Sequence, residues 1–321
     1  MTRVTAPSRL HFGLLSLPAD GHDRWPGLDG TAGLPVRHFG GVGLMVDRPG
    51  LAVTVAPEDH WAATGPLASR ALAVAQTFVE SLPVERRRPF RITVERAPPE
   101  HTGLGVGTQL AMAVARGLAQ ELDCWDWGAA ELAARVGRGE RSAVGVYGFE
   151  RGGLIVEAGK RPGEALAPLV GRYEFPADWS VLLFSPESGA NWHGNRERQA
   201  FARLGRLGPS PAESEALCRL VLTGLLPALT AIDLDAFGAA VYEFNARVGD
   251  VFAAAQGGRY GSPAVADCVA RLRQAGVAGV GQSSWGPTVF AFVRPADVER
   301  ARAAVADVPA QLAGTSAGAT T

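Results

Sequence analysis

The sequence has 321 residues, 47% of them hydrophobic and 20% charged, which is an ordinary balance for a water-soluble enzyme. Its 31 basic and 32 acidic side chains give a net charge of −1, so we expect no nucleic-acid partner and no attraction to an acidic membrane. No apolar run approaches the ~18 residues of a spanning helix, and the N-terminus lacks the apolar core of a signal peptide. The three cysteines are far apart, as is typical of free thiols in a reducing compartment, so a cytoplasmic location is predicted.

The spacing of apolar side chains predicts strands and helices along the whole chain. The first half is predicted to contain strands at 3–17, 39–46, 51–55, 90–94 and 152–157, and helices at 66–81, 110–122 and 127–135. The second half is predicted to contain strands at 179–184 and 288–293, and helices at 213–230, 234–255, 263–275 and 296–305. A composition shift at 159–171 predicts a boundary between domains at 1–165 and 166–310. Residues 311–321 are small and polar and are predicted to be a disordered tail.

Pro7 and Gly13 are expected to interrupt the first predicted strand, and two polar side chains lie between them. Because side chains alternate across a strand, Arg9 and His11 share one face while Leu10 and Phe12 take the other. This pattern is typical of a solvated edge strand, and it also suits a strand that offers a cation and an imidazole to an anion. The pattern alone leaves both interpretations open.

A glycine-rich segment lies directly before the most apolar predicted helix. Gly103, Gly105 and Gly107 have no Cβ to block a ligand, and the helix directs free N–H groups and its positive dipole end towards them. Such an arrangement binds phosphate or diphosphate, although an ordinary turn before a helix has the same composition. The segment lacks the Gly-Lys-Ser/Thr of a P-loop, and its glycine spacing does not match a dinucleotide-binding fingerprint.

Several other polar segments are candidates for ligand recognition. His193 and Arg196 lie in a polar and aromatic stretch for which a solvated loop is the alternative. The pair Ser283 and Ser284 precedes Gly286, and serines at such a place either bind an anion or cap a turn.

Three more segments leave similar alternatives. Gln256 and Tyr260 follow a predicted helix, where a glycine cap between them is the plain alternative. Residues 137–145 are expected to form a second glycine-rich loop, in which Glu140 is either solvated or a metal ligand. Residues 18–35 form a long, turn-rich connection of a kind that is usually functional or mobile.

Three separated motifs in matching order resemble the GHMP kinase superfamily: Pro7-Ser8-Arg9 with Gly13, the glycine loop at 103–107, and the stretch 281–288. The resemblance covers nearly the whole chain. It implies an α+β fold in which a ribosomal S5 domain 2-like N-terminal domain and a C-terminal α+β domain enclose the active site. It also implies a phosphate site made by Gly103, Leu104, Gly105, Val106, Gly107, Thr108 and Gln109, with Ser283, Ser284 and Gly286.

Two departures from the kinase pattern argue against phosphoryl transfer. The kinases have serines after Gly-Leu-Gly, one of which helps to hold Mg²⁺, whereas this chain has Val106 and Gly107 there. They also have a catalytic Asp at the position of Gly145. Because phosphoryl transfer needs a group that orients the nucleophile and cations around the γ-phosphate, a divergent ATP-dependent kinase is an alternative only. A non-catalytic sensor that retains the cleft is another.

One branch of the superfamily is a closer match. The segments 39–43, 103–109, 256–260 and 283–288 resemble those of the β-ribofuranosylaminobenzene 5'-phosphate synthases of methanopterin biosynthesis. The resemblance implies an enzyme that joins phosphoribosyl pyrophosphate to an aromatic acid, 4-aminobenzoate or 4-hydroxybenzoate, and releases CO₂ and pyrophosphate.

The same resemblance implies roles for individual residues. The expected catalytic residues are Arg9, His11, His193 and Arg196. The expected substrate-binding residues are Ser8, Gln256 and Tyr260. Mg²⁺ is the expected cofactor, with Thr108 and Glu140 as candidate ligands, and a homodimer is the expected assembly.

Overall fold

The computed structural model describes residues 1–17, 36–187 and 210–321. The predicted connection at 18–35 lies outside the described residues, as do His193 and Arg196. Within the described ranges, no helix is both long enough and apolar enough to cross a bilayer.

The first domain contains a six-stranded sheet. Its strands are β1 (Thr2–Leu14), β2 (Gly41–Pro57), β3 (Ala62–Thr64), β4 (Phe90–Arg96), β5 (Leu154–Glu157) and β6 (Leu169–Tyr173). They run in the order β3-β4-β2-β5-β6, and β1 pairs along the other edge of β2. All the pairs are antiparallel except β3 with β4.

Strand β1 is continuous through both of the residues that were expected to interrupt it. Its register against β2 shifts between Ala6 and Ser8, around Pro7, and again between His11 and Gly13. Irregularities of this kind bend a strand without ending it, so β1 stays paired along its length. The predicted strands 39–46 and 51–55 likewise form the single strand β2.

Four helices cover this sheet: α1 (Ala68–Glu80), α2 (Val106–Glu121), α3 (Ala129–Arg135) and α4 (Val144–Arg151). Helix α2 is central: eleven of its sixteen residues are buried and none is exposed, as its apolar sequence predicts. Gly117 lets it approach the sheet, because a Cβ there would lie 2.6 Å from a Val55 methyl carbon. The sequence pattern missed α4, since residues 137–145 were expected to form a loop and α4 begins near the end of that segment.

The second domain is a four-stranded antiparallel sheet with helices packed on it. Its strands β7 (Ser180–Phe184), β8 (Gly279–Gln282), β9 (Val289–Val293) and β10 (Ala310–Ala313) run in the order β10-β7-β9-β8. The helices are α5 (Pro211–Leu220), α6 (Leu226–Thr230), α7 (Leu234–Gln256), α8 (Pro263–Gln274) and α9 (Val298–Ala304). A π-helical turn, Val221–Leu225, joins α5 to α6 where one helix was predicted.

The two domains share one hydrophobic core around β1. The ring of Phe12 in β1 lies 5.1 Å from that of Phe290 and 5.8 Å from that of Phe292, both in β9. The buried amide of Asn245 in α7 donates to the carbonyl oxygens of Phe12 (2.7 Å) and Gln282 (2.9 Å). These contacts hold the apolar face of β1, with Leu10 and Phe12, against the second domain.

The predicted boundaries need two corrections. The first sheet includes β6, so the first domain extends beyond residue 165. The predicted disordered tail is also wrong, because β10 pairs with β7 and the residues after it return to the first domain. Small polar side chains bury little surface, but the tail is held by backbone hydrogen bonds, which do not depend on side-chain size.

Deletion of residues 314–321 therefore tests how the tail is held. Six backbone hydrogen bonds would be lost, between the tail and Thr5, Met45, Asp47, Phe149 and Gly153. At about 0.5–1.5 kcal/mol net for each bond, urea denaturation should show a loss of at least about 3 kcal/mol in the free energy of unfolding. Deletion of Thr321 alone, which removes none of these bonds, is the control. Equal stability of the two truncated chains would contradict the ordered tail.

Candidate active site

A cleft of about 720 Å³ lies between the two domains. Its walls come from β1, the glycine loop before α2, the loop before α4, helix α7 and the turn after β8. Of the predicted residues within the described ranges, those that line it are Arg9, His11, Gly103, Leu104, Gly105, Val106, Gly107, Thr108, Glu140, Gln256, Tyr260, Ser284 and Gly286. The structure thus gathers most of the separated motifs at one place.

The glycine loop is fixed by its backbone. The amide of Arg9 donates to the carbonyl of Leu104 (2.9 Å), which attaches the loop to β1. Gly103 has a φ of 87°, and a Cβ there would lie 2.2 Å from the Ser283 carbonyl oxygen, so only glycine fits. Helix α2 then begins at Val106. The amides of Thr108 and Gln109 bond to Gly105, which leaves the first amides of the helix without a helical acceptor.

Arginines surround this helix terminus. Gly107 makes room for Arg70, because a Cβ there would lie 2.4 Å from an Arg70 Nη atom. Arg138 lies in the loop before α4, and its buried Nε has no hydrogen-bond partner in the part of the chain that the structure describes. Burial and the charge of Arg70 lower the pKa of Arg138, while Glu140 opposes them. Arg70 is also ion-paired with Glu100, which lines the cleft beside it. Two arginines held close together at a helix N-terminus favour binding of an anion.

Sequence reasoning missed Arg70 and Arg138. Arg138 was within the second glycine-rich segment, so a search of that segment for cations could have found it. Arg70 lies on the surface pattern of an ordinary amphipathic helix, and nothing in the sequence places it beside the glycine loop.

Three residues that were predicted to bind ligand instead form hydrogen bonds with backbone groups around the site. The Ser283 hydroxyl donates to the carbonyl of Gly103 (2.8 Å) and accepts the amide of His11 (3.0 Å). Gln109 donates to the carbonyl of Gly145 (2.8 Å), and Ser8 donates to the carbonyl of Pro49. All three side chains are buried and none lines the cleft, which corrects the prediction of direct ligand contact. Their hydroxyl and amide groups are used to satisfy backbone groups.

The opposite wall of the cleft is largely apolar and aromatic. Val248 and Phe252 of α7 line it together with Trp285, and the rings of Phe252 and Trp285 meet edge-to-face at 5.2 Å. Gln256 donates to the carbonyl of Arg259 (2.8 Å), which closes the turn after α7. The Tyr260 hydroxyl is buried and has no partner among the described residues, and burial raises its pKa to about 12. This wall offers flat apolar surface and a neutral hydroxyl donor.

Gly145 is the residue at which the resemblance to the kinases predicts a catalytic carboxylate. A Cβ there would lie 3.3 Å from the Thr108 methyl group and 3.6 Å from Arg9 Cδ, so a longer side chain would lie beside two residues that line the cleft. The chain has no side chain at this point. Within the described ranges, no group of three His, Cys, Asp or Glu side chains is placed so that it could hold a metal ion.

A buried hydrogen-bonded chain reaches the cleft beside Arg9. His11 Nε2 lies 3.1 Å from the Ser142 hydroxyl, which is close enough to the carboxyl of Glu157 to lower its pKa. Burial, and secondarily the charge of Arg9, holds the pKa of His11 well below its usual value. Burial raises the pKa of Glu157 to about 7, against the opposing effect of N–H bonds from Gly159 and Ala143.

Comparisons with known proteins agree with this geometry. The chain matches the GHMP kinases N terminal domain over residues 69–153 and the GHMP kinases C terminal domain over residues 225–311. It is 31% identical to a beta-ribofuranosylphenol 5'-phosphate synthase of Methanothermobacter thermautotrophicus, covering 94% of this chain and 92% of that protein. The chain belongs to the beta-ribofuranosylphenol 5'-phosphate synthase family. A synthase of the same name from Archaeoglobus fulgidus is 30% identical over 91% of this chain and 88% of that protein.

Solved structures confirm the predicted α+β GHMP fold of this synthase family member. A putative homoserine kinase from Listeria monocytogenes superposes with a TM-score of 0.65 at 16% identity, covering 99% of this chain and 98% of that one. The mevalonate kinase of Methanococcus jannaschii superposes with a TM-score of 0.65 at 9% identity, covering 98% of both chains. At such identities these neighbours establish the fold alone.

The variant Glu157→Gln tests the buried carboxyl through the stability of the protein. A carboxyl whose pKa rises from 4.5 to about 7 on folding binds more protons in the folded state between those values. The wild type should therefore lose about 3 kcal/mol of stability, relative to the variant, as pH rises from 4.5 to 7. Urea denaturation at pH 5 and pH 8 measures this difference. Parallel pH dependence of the two proteins would show that Glu157 titrates normally.

Proposed function

We propose that this chain transfers the 5-phosphoribosyl group of phosphoribosyl pyrophosphate to 4-hydroxybenzoate or 4-aminobenzoate. The reaction releases CO₂ and pyrophosphate and forms an aryl C-riboside phosphate for tetrahydromethanopterin biosynthesis. The observation that carries the proposal is a cleft in which the first amides of α2 lie beside two arginines, in a GHMP fold that has glycine at 145. The name of the curated relatives supports the aryl product.

The end of the cleft formed by the start of α2, Arg70 and Arg138, here called the diphosphate end, suits departure of pyrophosphate from ribose C1. Negative charge grows on the diphosphate as its bond to C1 breaks, while C1 becomes oxocarbenium-like. Amides at the start of α2 and Arg138 line this end of the cleft and would meet that charge, together with Arg70, which is ion-paired with Glu100. Preorganised donors of this kind stabilise a transition state because they need no reorganisation.

The apolar wall suits the aromatic acid. A benzoate ring can pack against Phe252 and Trp285, within reach of the Tyr260 hydroxyl. Arg9, at the junction of the two ends, can pair with a carboxylate or phosphate. Because loss of CO₂ replaces loss of a ring proton, no base is needed at the reacting ring carbon, which agrees with the glycine at 145.

Mg²⁺ is part of the proposal. Thr108 and Glu140 both line the diphosphate end, and they suit an ion that takes its other ligands from diphosphate and water. When bound, Mg²⁺ would neutralise charge on the leaving group. We also infer a cytoplasmic homodimer without nucleic-acid or membrane partners, in line with the sequence predictions.

An assay of products tests the proposal directly. Purified protein with Mg²⁺, phosphoribosyl pyrophosphate and carboxyl-labelled 4-hydroxybenzoate or 4-aminobenzoate should release pyrophosphate and labelled CO₂ in equal amounts. Chelation of Mg²⁺ should lower the rate, because charge on the leaving diphosphate would be less well neutralised. Absence of both products with either acid would refute the synthase. Phosphorylation of an alcohol by ATP would instead indicate the kinase alternative, and ligand binding without any product would indicate the sensor.

The variant Arg138→Met tests the polyanion site. Loss of a partly buried charged donor should weaken binding of phosphoribosyl pyrophosphate by about 10- to 100-fold, as expected for hydrogen bonds worth about 1.5–3 kcal/mol. Isothermal titration calorimetry measures the Kd. Arg300→Met, at an exposed arginine paired with Asp297, is the matched control and should bind like the wild type. Unchanged affinity in Arg138→Met would place the diphosphate elsewhere.

A further inference from the structure

Glu157 is fully buried at the end of β5, yet the side chains of Ser142 and His11 connect it to the cleft. Its carboxylate accepts N–H bonds from Ala143 (3.3 Å) and Gly159 (2.7 Å), and the nearby Ser142 hydroxyl lowers its pKa in the way that a hydrogen-bond donor does. Ser142 Oγ lies 3.1 Å from Nε2 of His11, which lines the cleft. A Cβ added at Gly41 would touch both His11 Nε2 (3.0 Å) and Glu157 Oε1 (3.2 Å), so this glycine leaves room for the chain.

The direction of these bonds depends on whether Glu157 carries a proton. An ionised carboxylate only accepts, so the Ser142 hydroxyl donates to it and accepts the N–H of His11 Nε2. The other ring nitrogen, Nδ1, then has a lone pair. If Glu157 is protonated, the whole chain can reverse, and Nδ1 becomes the N–H donor. Nδ1 makes no hydrogen bond with any described residue, so it is available to a ligand in the cleft.

We propose that Glu157, Ser142 and His11 form a proton relay for a phenolic substrate, taking up its hydroxyl proton while the ring attacks ribose and returning it as CO₂ leaves. The inference rests on the proposed function and deepens it. His11 is the group that would touch the substrate, whereas Ser142 and Glu157 act through it.

Every bond and proton is accounted for in the relay. As the ring carbon that bears the carboxylate bonds to ribose C1, the bond from C1 to the diphosphate oxygen breaks and its electron pair leaves with that oxygen. The O–H pair of the 4-hydroxyl becomes the C=O bond of a dienone. Its proton passes to His11 Nδ1, the Nε2 proton to Ser142, and the Ser142 proton to Glu157. When the bond to CO₂ breaks, its pair restores the aromatic ring and the proton returns to oxygen.

The surroundings of the relay favour this exchange. Burial raises the pKa of Glu157 to about 7, so the carboxyl can accept and release a proton near neutrality. Burial and Arg9 lower the pKa of His11, which keeps the imidazole neutral and able to accept. Tyr147 of α4 also faces Glu157, but its hydroxyl donates to the Ala167 carbonyl (2.8 Å) and its pKa is raised, so it stays neutral.

A 4-amino substituent has no need of the relay. The nitrogen lone pair activates the ring and forms an iminium without losing a proton. The relay therefore predicts a difference between two substrates that have the same size and the same carboxylate. A merely structural role for Glu157 predicts no such difference.

The test compares Ser142→Ala and Glu157→Gln with Glu95→Gln, a glutamate of the same domain that pairs with Arg3 and does not line the cleft. In both relay variants kcat with 4-hydroxybenzoate should fall at least tenfold, while kcat with 4-aminobenzoate should change less than about threefold. The double variant should lose no more than the worse single one. With 4-hydroxybenzoate, wild-type kcat should fall as pH drops below 7, and kcat of Glu157→Gln should not show this decrease.

A second measurement detects the hydrogen bonds of the relay without any catalysis. Nitrogen-15 NMR of His11 at pH 8 should show the Nε2–H tautomer in the wild type and a changed tautomer balance in Ser142→Ala. Equal losses with the two acids, or an unchanged His11 signal in both relay variants, would overturn the relay. If the wild type converts neither acid, the proposed function fails, and the NMR result alone then decides whether the relay exists.

Discussion

The candidate site depends on the backbone of β1 at Arg9–His11. On one side, the Arg9 amide holds the glycine loop through Leu104, and on the other the His11 carbonyl accepts the amide of Ser284. The Ser283 hydroxyl bridges these segments by accepting from His11 and donating to Gly103. This short piece of strand therefore positions both the glycine loop before α2 and the turn after β8. The side chains of Arg9 and His11 line the cleft between the diphosphate end and the apolar wall.

The same geometry explains how a kinase fold could serve another reaction. Binding of a diphosphate needs free amides and cations, which α2 and the neighbouring arginines supply without any group that activates a nucleophile. Transfer of a phosphoryl group needs such a group as well, and Gly145 cannot supply it. A site that retains the diphosphate-binding groups and lacks a group that activates the nucleophile suits a reaction in which the diphosphate leaves and a carbon nucleophile attacks.

Much of this arrangement could be predicted from the sequence, but not all of it. Helix α2 and the loop before it are local features, so their glycines and apolar residues indicate them directly. The convergence of Arg70 and Arg138 depends on how α1 and the loop before α4 pack, which no local pattern records. Glu157 ends a strand of otherwise apolar residues, and its link to His11 depends on pairing between β5 and β2. The tail was wrongly predicted to be disordered, because its backbone hydrogen bonds with β1 and β2 do not depend on amino-acid composition.

The most direct test of the central claim is a crystal structure of the protein with phosphoribosyl pyrophosphate. The account predicts that diphosphate oxygens lie within hydrogen-bond distance of the Val106 and Gly107 amides and of the Arg138 guanidinium, with ribose C1 facing the aromatic wall. A diphosphate bound elsewhere in the cleft, with the start of α2 unoccupied, would contradict it.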